Sequence, residues 1–143
     1  MAADTYNLQL AIPQLLGADS ANTVIFRGDS TDNSQVVLAY EATASATNYI
    51  VQLDGSDWIS FEDLTFAPTS TNFSRAVHFT NGADNNSIDN CVFNGDTAAG
   101  TTSTNKALLF SENTVDNYNT FTNNTFVGVV EVIQFTGAVH QVI

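Results

Sequence analysis

Three segments of the chain fall into one register: I-S-F-E-D-L-T-F (59–66), N-S-I-D-N-C-V-F (86–93) and N-T-F-T-N-N-T-F (119–126). In each, an apolar residue (Phe61, Ile88, Phe121) stands five positions before a terminal Phe (Phe66, Phe93, Phe126). Side chains alternate along a strand with period two, so a five-residue offset cannot put both on one face of a single strand. A turn must lie between them. The residues at that place are Asp63, Asn90 and Asn123, types that tolerate left-handed backbone. Tyr40, closing Q-V-V-L-A-Y, fits the terminal position as an earlier copy.

A second strand family keeps step with the first: N-T-V-I-F (22–26), Y-I-V-Q-L (49–53), R-A-V-H-F (75–79), K-A-L-L-F (106–110) and E-V-I-Q-F (131–135). Its closing residues are Phe26, Leu53, Phe79, Phe110 and Phe135, spaced 27, 26, 31 and 25 apart. Two columns with nearly one period mark a structural repeat. A repeat this short cannot bury its own apolar stripe, so it stacks on the next at the inter-strand spacing of about 4.8 Å. Like then lies over like. The Phe and Leu columns form the core stack, and Asp63, Asn90 and Asn123 form a polar ladder at a corner. The expected fold is all-β, a parallel β-helix of about five coils, with residues 1–143 as one domain.

Composition agrees. The 143 residues are rich in Asn, Thr, Ser and Asp and poor in Lys, Arg and Glu, which favours strands and turns over helices. The net charge of −12 disfavours phosphate backbones and anionic lipid as partners, so neither nucleic acid nor membrane insertion is expected. Cys91 is the only cysteine, which excludes an intrachain disulfide and a thiolate metal cluster.

The coil length, the Asn-bearing corner and the motif I-x-N-x-x-F resemble right-handed parallel β-helix repeats of the pectin-lyase-like class. The run N-Y-I-V-Q-L-D-G-S-D-W-I-S-F-E-D-L-T-F (48–66) resembles β-helix modules of large secreted or surface-anchored bacterial proteins. The resemblance implies a right-handed solenoid and an extracellular or cell-surface location; the bare ends of the repeat lead to the expectation of either a fragment of a longer array or ends that bind something, such as another copy. That class includes lyases, hydrolases and adhesins, so fold does not select the activity. The final A-V-H-Q-V-I carries no polar cap, from which uncapped coil ends are expected.

Candidate sites are few. Asp54, Asp57, Asp84 and Asp116 fall at the turn between the strand families. Stacking brings Asp57 and Asp84 about one coil rise apart, close enough to share a proton or calcium, although the preference of this turn for Asp and Asn is the favoured explanation. No Gly-Gly-x-Gly-x-Asp repeat is present, so no cofactor or metal is expected, with calcium the one ion the carboxylates suit. Trp58 aligns with Asn85 and Tyr118; outward aromatics two coils apart suit sugar rings, and Trp58, Tyr118, Asp57 and Asp84 are the candidate carbohydrate site.

Arg75 and Lys106 share a column read as a solvated edge; His78 and His140 are read as surface histidines; outward positions read Gln52, His78, Leu109 and Gln134. The Asp-Asp and Gly-His-Gly motifs of the hydrolase members are missing, and no catalytic residue is assigned. The leading expectation is a non-catalytic structural or adhesive module, possessing a carbohydrate surface and partnered by neighbouring coils or copies of itself. End-to-end self-assembly into a fibre and a polysaccharide lyase- or hydrolase-like enzyme are the alternatives.

Overall fold

The computed structural model describes residues 1–95, 104–111, 115–128 and 133–135. Among them fourteen short strands wind in successive coils, each of the first four giving one strand to each of three parallel sheets and the fifth giving one to each of two. The first sheet stacks β1 (Asp4–Asn7), β4 (Val36–Tyr40), β7 (Thr65–Pro68), β10 (Val92–Asn94) and β13 (Thr125–Val127). The second stacks β2 (Leu10–Pro13), β5 (Val51–Asp54), β8 (Val77–Thr80), β11 (Leu109–Ser111) and β14 (Ile133–Phe135). The third stacks β3 (Val24–Arg27), β6 (Ile59–Glu62), β9 (Ser87–Asp89) and β12 (Thr120–Thr122). The architecture is a parallel β-helix.

The corner between the third and first sheets lies where the five-residue offset puts it. Asp63, Asn90 and Asn123 have φ of 58°, 50° and 56°. Turning the chain there lets Phe61 and Phe66, and Ile88 and Phe93, all point inward, and all four are buried. In the first coil Gly28 occupies this column, where a β-carbon would lie 1.9 Å from the Asp63 carbonyl oxygen.

The inner columns are aromatic. Phe66, Phe93 and Phe126 stack at ring separations of 4.9 Å with nearly parallel planes. Phe26 stacks on Phe61 at 5.0 Å. Offset stacking of this kind adds to the burial that drives coil packing.

Three register assignments made from the sequence are corrected. Phe26 belongs to the third sheet, paired with Phe61, and the first-coil partner of Leu53 is Ile12. The repeat placed a single strand where the first coil has two, because the Gln14–Thr23 connection lengthens that coil. Leu38, not Tyr40, pairs with Phe66; Tyr40 lies opposite Pro68.

The third correction has chemical consequences. Phe110 pairs with His78 and Gln134, whereas Ser111 takes the inward place between Phe79 and Phe135. Leu109, read as outward, is therefore inward and belongs to the core. A polar residue tolerates this core position because the Ser111 hydroxyl donates to Asp116 Oδ2 at 2.5 Å. Phe110 faces the outside of the barrel yet is only 3% exposed. Its cover is Arg75, whose guanidinium carbon lies 3.4 Å from the ring centroid. Arg75 is buried, so it is no solvated edge. His78 does lie on the outer side, but it too is buried rather than at the surface. His140, Glu131, Val132 and most of the 94–105 loop lie outside the described residues.

Candidate functional site

The two αL corners share one device. Asn86 Oδ1 accepts the Ile59 N–H at 2.9 Å while its Nδ2 donates to the Ser56 carbonyl at 2.9 Å. Asn119 does the same to Asn86 N–H and the Ala83 carbonyl, at 2.9 and 2.8 Å. Asn124 repeats it on Cys91 N–H and the Ile88 carbonyl, at 2.9 and 2.8 Å. In every case an amide from one coil satisfies the N–H of residue i and the C=O of residue i−3 in the preceding coil. The residue at i−1, inside the clamp, has positive φ: Trp58, Asn85 and Asn90. A bulky residue in αL costs about 1 kcal/mol or more, and the clamp is what holds it there.

Asn86 and Asn119, both buried, thus tie coil to coil through both ends of the amide. The expected ladder is partial. Asn90 donates to Asp63 Oδ1 at 2.8 Å, but Asn123 reaches Asp89 Oδ1 at 2.9 Å. Asn123 is exposed. The signal for the buried pair was present, since Asn opens both the 86–93 and 119–126 segments; its role depends on a contact with the preceding coil.

Trp58, Asn85 and Tyr118 form one column, with φ of 60°, 57° and 57°. Trp58 N–H donates to the Asp84 carbonyl at 3.4 Å and Asn85 N–H to the Asn117 carbonyl at 3.1 Å, which fixes the stacking. Two coils separate Trp58 from Tyr118, about 10 Å at the inter-strand spacing. Tyr118 is 58% exposed and Trp58 is half-buried.

Asp57 and Asp84 do sit in adjacent coils beside this column, but their oxygens serve the scaffold. Asp57 Oδ1 accepts the Asp84 N–H at 2.8 Å, and Asp84 Oδ1 accepts the Asn117 N–H at 2.5 Å. Burial, reinforced by the charges of Asp57 and Asp116, raises the Asp84 carboxyl above its ordinary range, against the opposing Asn117 bond. Asp116 is fully buried and accepts the Gly82 and Ala83 N–H groups at 2.9 and 3.0 Å. Among the described residues no group of three or more His, Cys, Asp or Glu is arranged to hold a metal ion.

A second region lies on the outer face of the second sheet. There a cavity of about 540 Å³ is lined by Gln52, Asp54, Arg75, His78, Thr80 and Asn81, together with Ser45 and Ala46. Gln52 Nε2 lies 3.4 Å from His78 Nδ1, and Asn81 Nδ2 donates to Asp54 Oδ1 at 2.5 Å. Arg75 Nε donates to the Thr104 carbonyl at 2.9 Å, so the side chain crosses the sheet from its own coil to the next. Sequence reasoning missed this cavity because it depends on the outward turn of Phe110 and on the residue 44–47 turn. Compared with known proteins, the chain matches no family model, no curated protein and no solved structure.

Proposed function

We propose that the chain is a non-catalytic, extracellular β-helix module, a stalk or adhesive element that binds carbohydrate along its long axis. The observation that carries this reading is the Trp58–Asn85–Tyr118 column, αL at all three positions and two coils long. Its aromatic ends present apolar faces about 10 Å apart beside a polar turn, a pattern suited to stacking under successive sugar rings. The acids beside it, Asp57, Asp84 and Asp116, each accept main-chain N–H bonds, which favours a scaffolding role over acid–base chemistry. The resemblance to pectin-lyase-like β-helices of surface proteins supports the location. Affinity electrophoresis through gels containing soluble polysaccharides tests it. Retardation by at least one glycan, lost in Trp58→Ala and Tyr118→Ala with folding intact, is expected; equal mobility of wild type and variants in every gel overturns it.

A second reading, end-to-end assembly, is favoured by the first coil. Tyr6, Val24 and Phe26 are only partly buried, whereas their stacked partners Leu38, Ile59 and Phe61 are buried. Sedimentation velocity over a wide concentration range decides it: a ladder of growing species supports stacking of copies, and a single invariant species rejects it.

A further inference from the structure

We propose that Asn94 is a modification site, the asparagine at which the folded chain deamidates in water to aspartate and isoaspartate. The sequence holds two Asn-Gly bonds, Asn81–Gly82 and Asn94–Gly95, and glycine least hinders the attack that starts this reaction. The glycine nitrogen loses its proton to solvent base and bonds to the side-chain carbonyl carbon of the asparagine. The Cγ–Nδ2 bond then breaks and ammonia leaves, giving a cyclic imide. Water opens the ring at either carbonyl, and the new acid adds one negative charge. By local sequence the two bonds are equivalent. The fold separates them.

At Asn81 both reacting groups are held. Gly82 N–H donates to Asp116 Oδ1 at 2.9 Å, and Asp116 is fully buried. A carboxylate acceptor opposes deprotonation of that nitrogen, and the bond is lost only when the coil around Asp116 opens. The Asn81 amide in turn donates to Asp54 Oδ1 at 2.5 Å. A carboxylate at residue 81 would repel Asp54 instead of bonding to it, so modification there also weakens the fold.

Asn94 has neither guard. Its side chain is exposed, and its amide makes no hydrogen bond among the described residues. The Gly95 N–H is held by a neutral main-chain acceptor, the Val127 carbonyl, at 2.8 Å. Asn94 ends β10 and Val127 ends β13, the outermost strand of the first sheet among the described residues. This bond therefore opens by fraying of a strand end, with the aromatic core intact. Val127 lies opposite Asn94 and is half exposed, so a carboxylate at residue 94 faces water and no like charge across the pair.

Peptide mapping by mass spectrometry, after ageing the whole chain at mildly alkaline pH in buffer and in concentrated urea, tests the site. In buffer Asn94 is expected to convert at least about tenfold faster than Asn81; in urea, where both glycine N–H groups are released, the two should convert alike. Amide hydrogen exchange reads the same openings without the chemistry, and Gly95 should exchange before Gly82. Asn94→Asp is expected to keep the melting temperature, and Asn81→Asp to lower it. The proposal is overturned if Asn81 converts first or equally fast in buffer, or if the same preference persists in urea. Conversion of both residues in urea and of neither in buffer overturns it as well, as does the reverse order of melting in the two variants.

Discussion

Asn86 holds Ile59 from the adjacent coil: its Oδ1 accepts the Ile59 N–H at 2.9 Å, and the same amide returns a hydrogen bond to Ser56 three residues earlier. One side chain thereby closes a turn of another coil. Asn86→Ala orphans a donor and an acceptor at a fully buried site, which should cost about 2–4 kcal/mol in urea unfolding. Asn90→Gly keeps the αL backbone and loses one half-buried bond to Asp63, so its cost should stay below about 1 kcal/mol. The reverse order would place the structural ladder at the corner instead of in the buried clamp.

The aromatic columns make separate predictions for inward and outward rings. Phe93, stacked on both sides, should lose about 3–5 kcal/mol on conversion to Ala. Phe110 is also buried, but its partner is Arg75 rather than the core. A double-mutant cycle with Phe110→Leu and Arg75→Gln should give a coupling of about 0.5–2 kcal/mol. Zero coupling would return Phe110 to the interior.

Asp84 should act against stability at neutral pH. A carboxyl whose folded pKa is raised binds its proton more tightly in the native state. Its ionised form therefore detracts from stability, and the loss is recovered as pH falls through the folded pKa and past the ordinary value of 3.8. Asp19, Asp29 and Asp32 work in the opposite direction. Each is lowered, chiefly by the Ala21 N–H, the Thr31 hydroxyl and the Ser34 hydroxyl respectively, and each gives stability that is lost as pH falls. Asp84→Asn isolates the first effect: it should melt above wild type at about pH 7, with the gap closing toward about pH 3. A gap that widens on acidification would contradict the assignment.

Cys91 should be inert until the coil opens. Burial pushes its thiol up to about 12, and Sγ lies 3.3 Å from the Asp89 carbonyl oxygen. At about pH 8 the native thiol is protonated and inaccessible, so Ellman's reagent should label it slowly in buffer and fast in denaturant. Rapid labelling of native protein would mean that the Asp89–Cys91 corner opens locally.

The sequence by itself determined the repeat, the parallel stacking and the corner. Those follow from local rules: alternation within strands, the five-residue offset of Phe61 and Phe66, and the tolerance of Asp and Asn for αL backbone. Three of the core stack's rings, Phe66, Phe93 and Phe126, lie in one column as the period predicts. Only the tertiary structure decided the rest, because a one-residue slip in a short strand leaves its composition unchanged while reversing every face. L-L-F-S reads equally well with Phe110 or Ser111 inside; the buried Asp116 later in the same coil, which accepts the Ser111 hydroxyl, and the Arg75 of the preceding coil, which roofs Phe110, settle it. The same holds for Asn86 and Asn119, whose importance lies in which coil's backbone they satisfy, and for the cavity, whose lining residues belong to different coils and come together only when the coils stack.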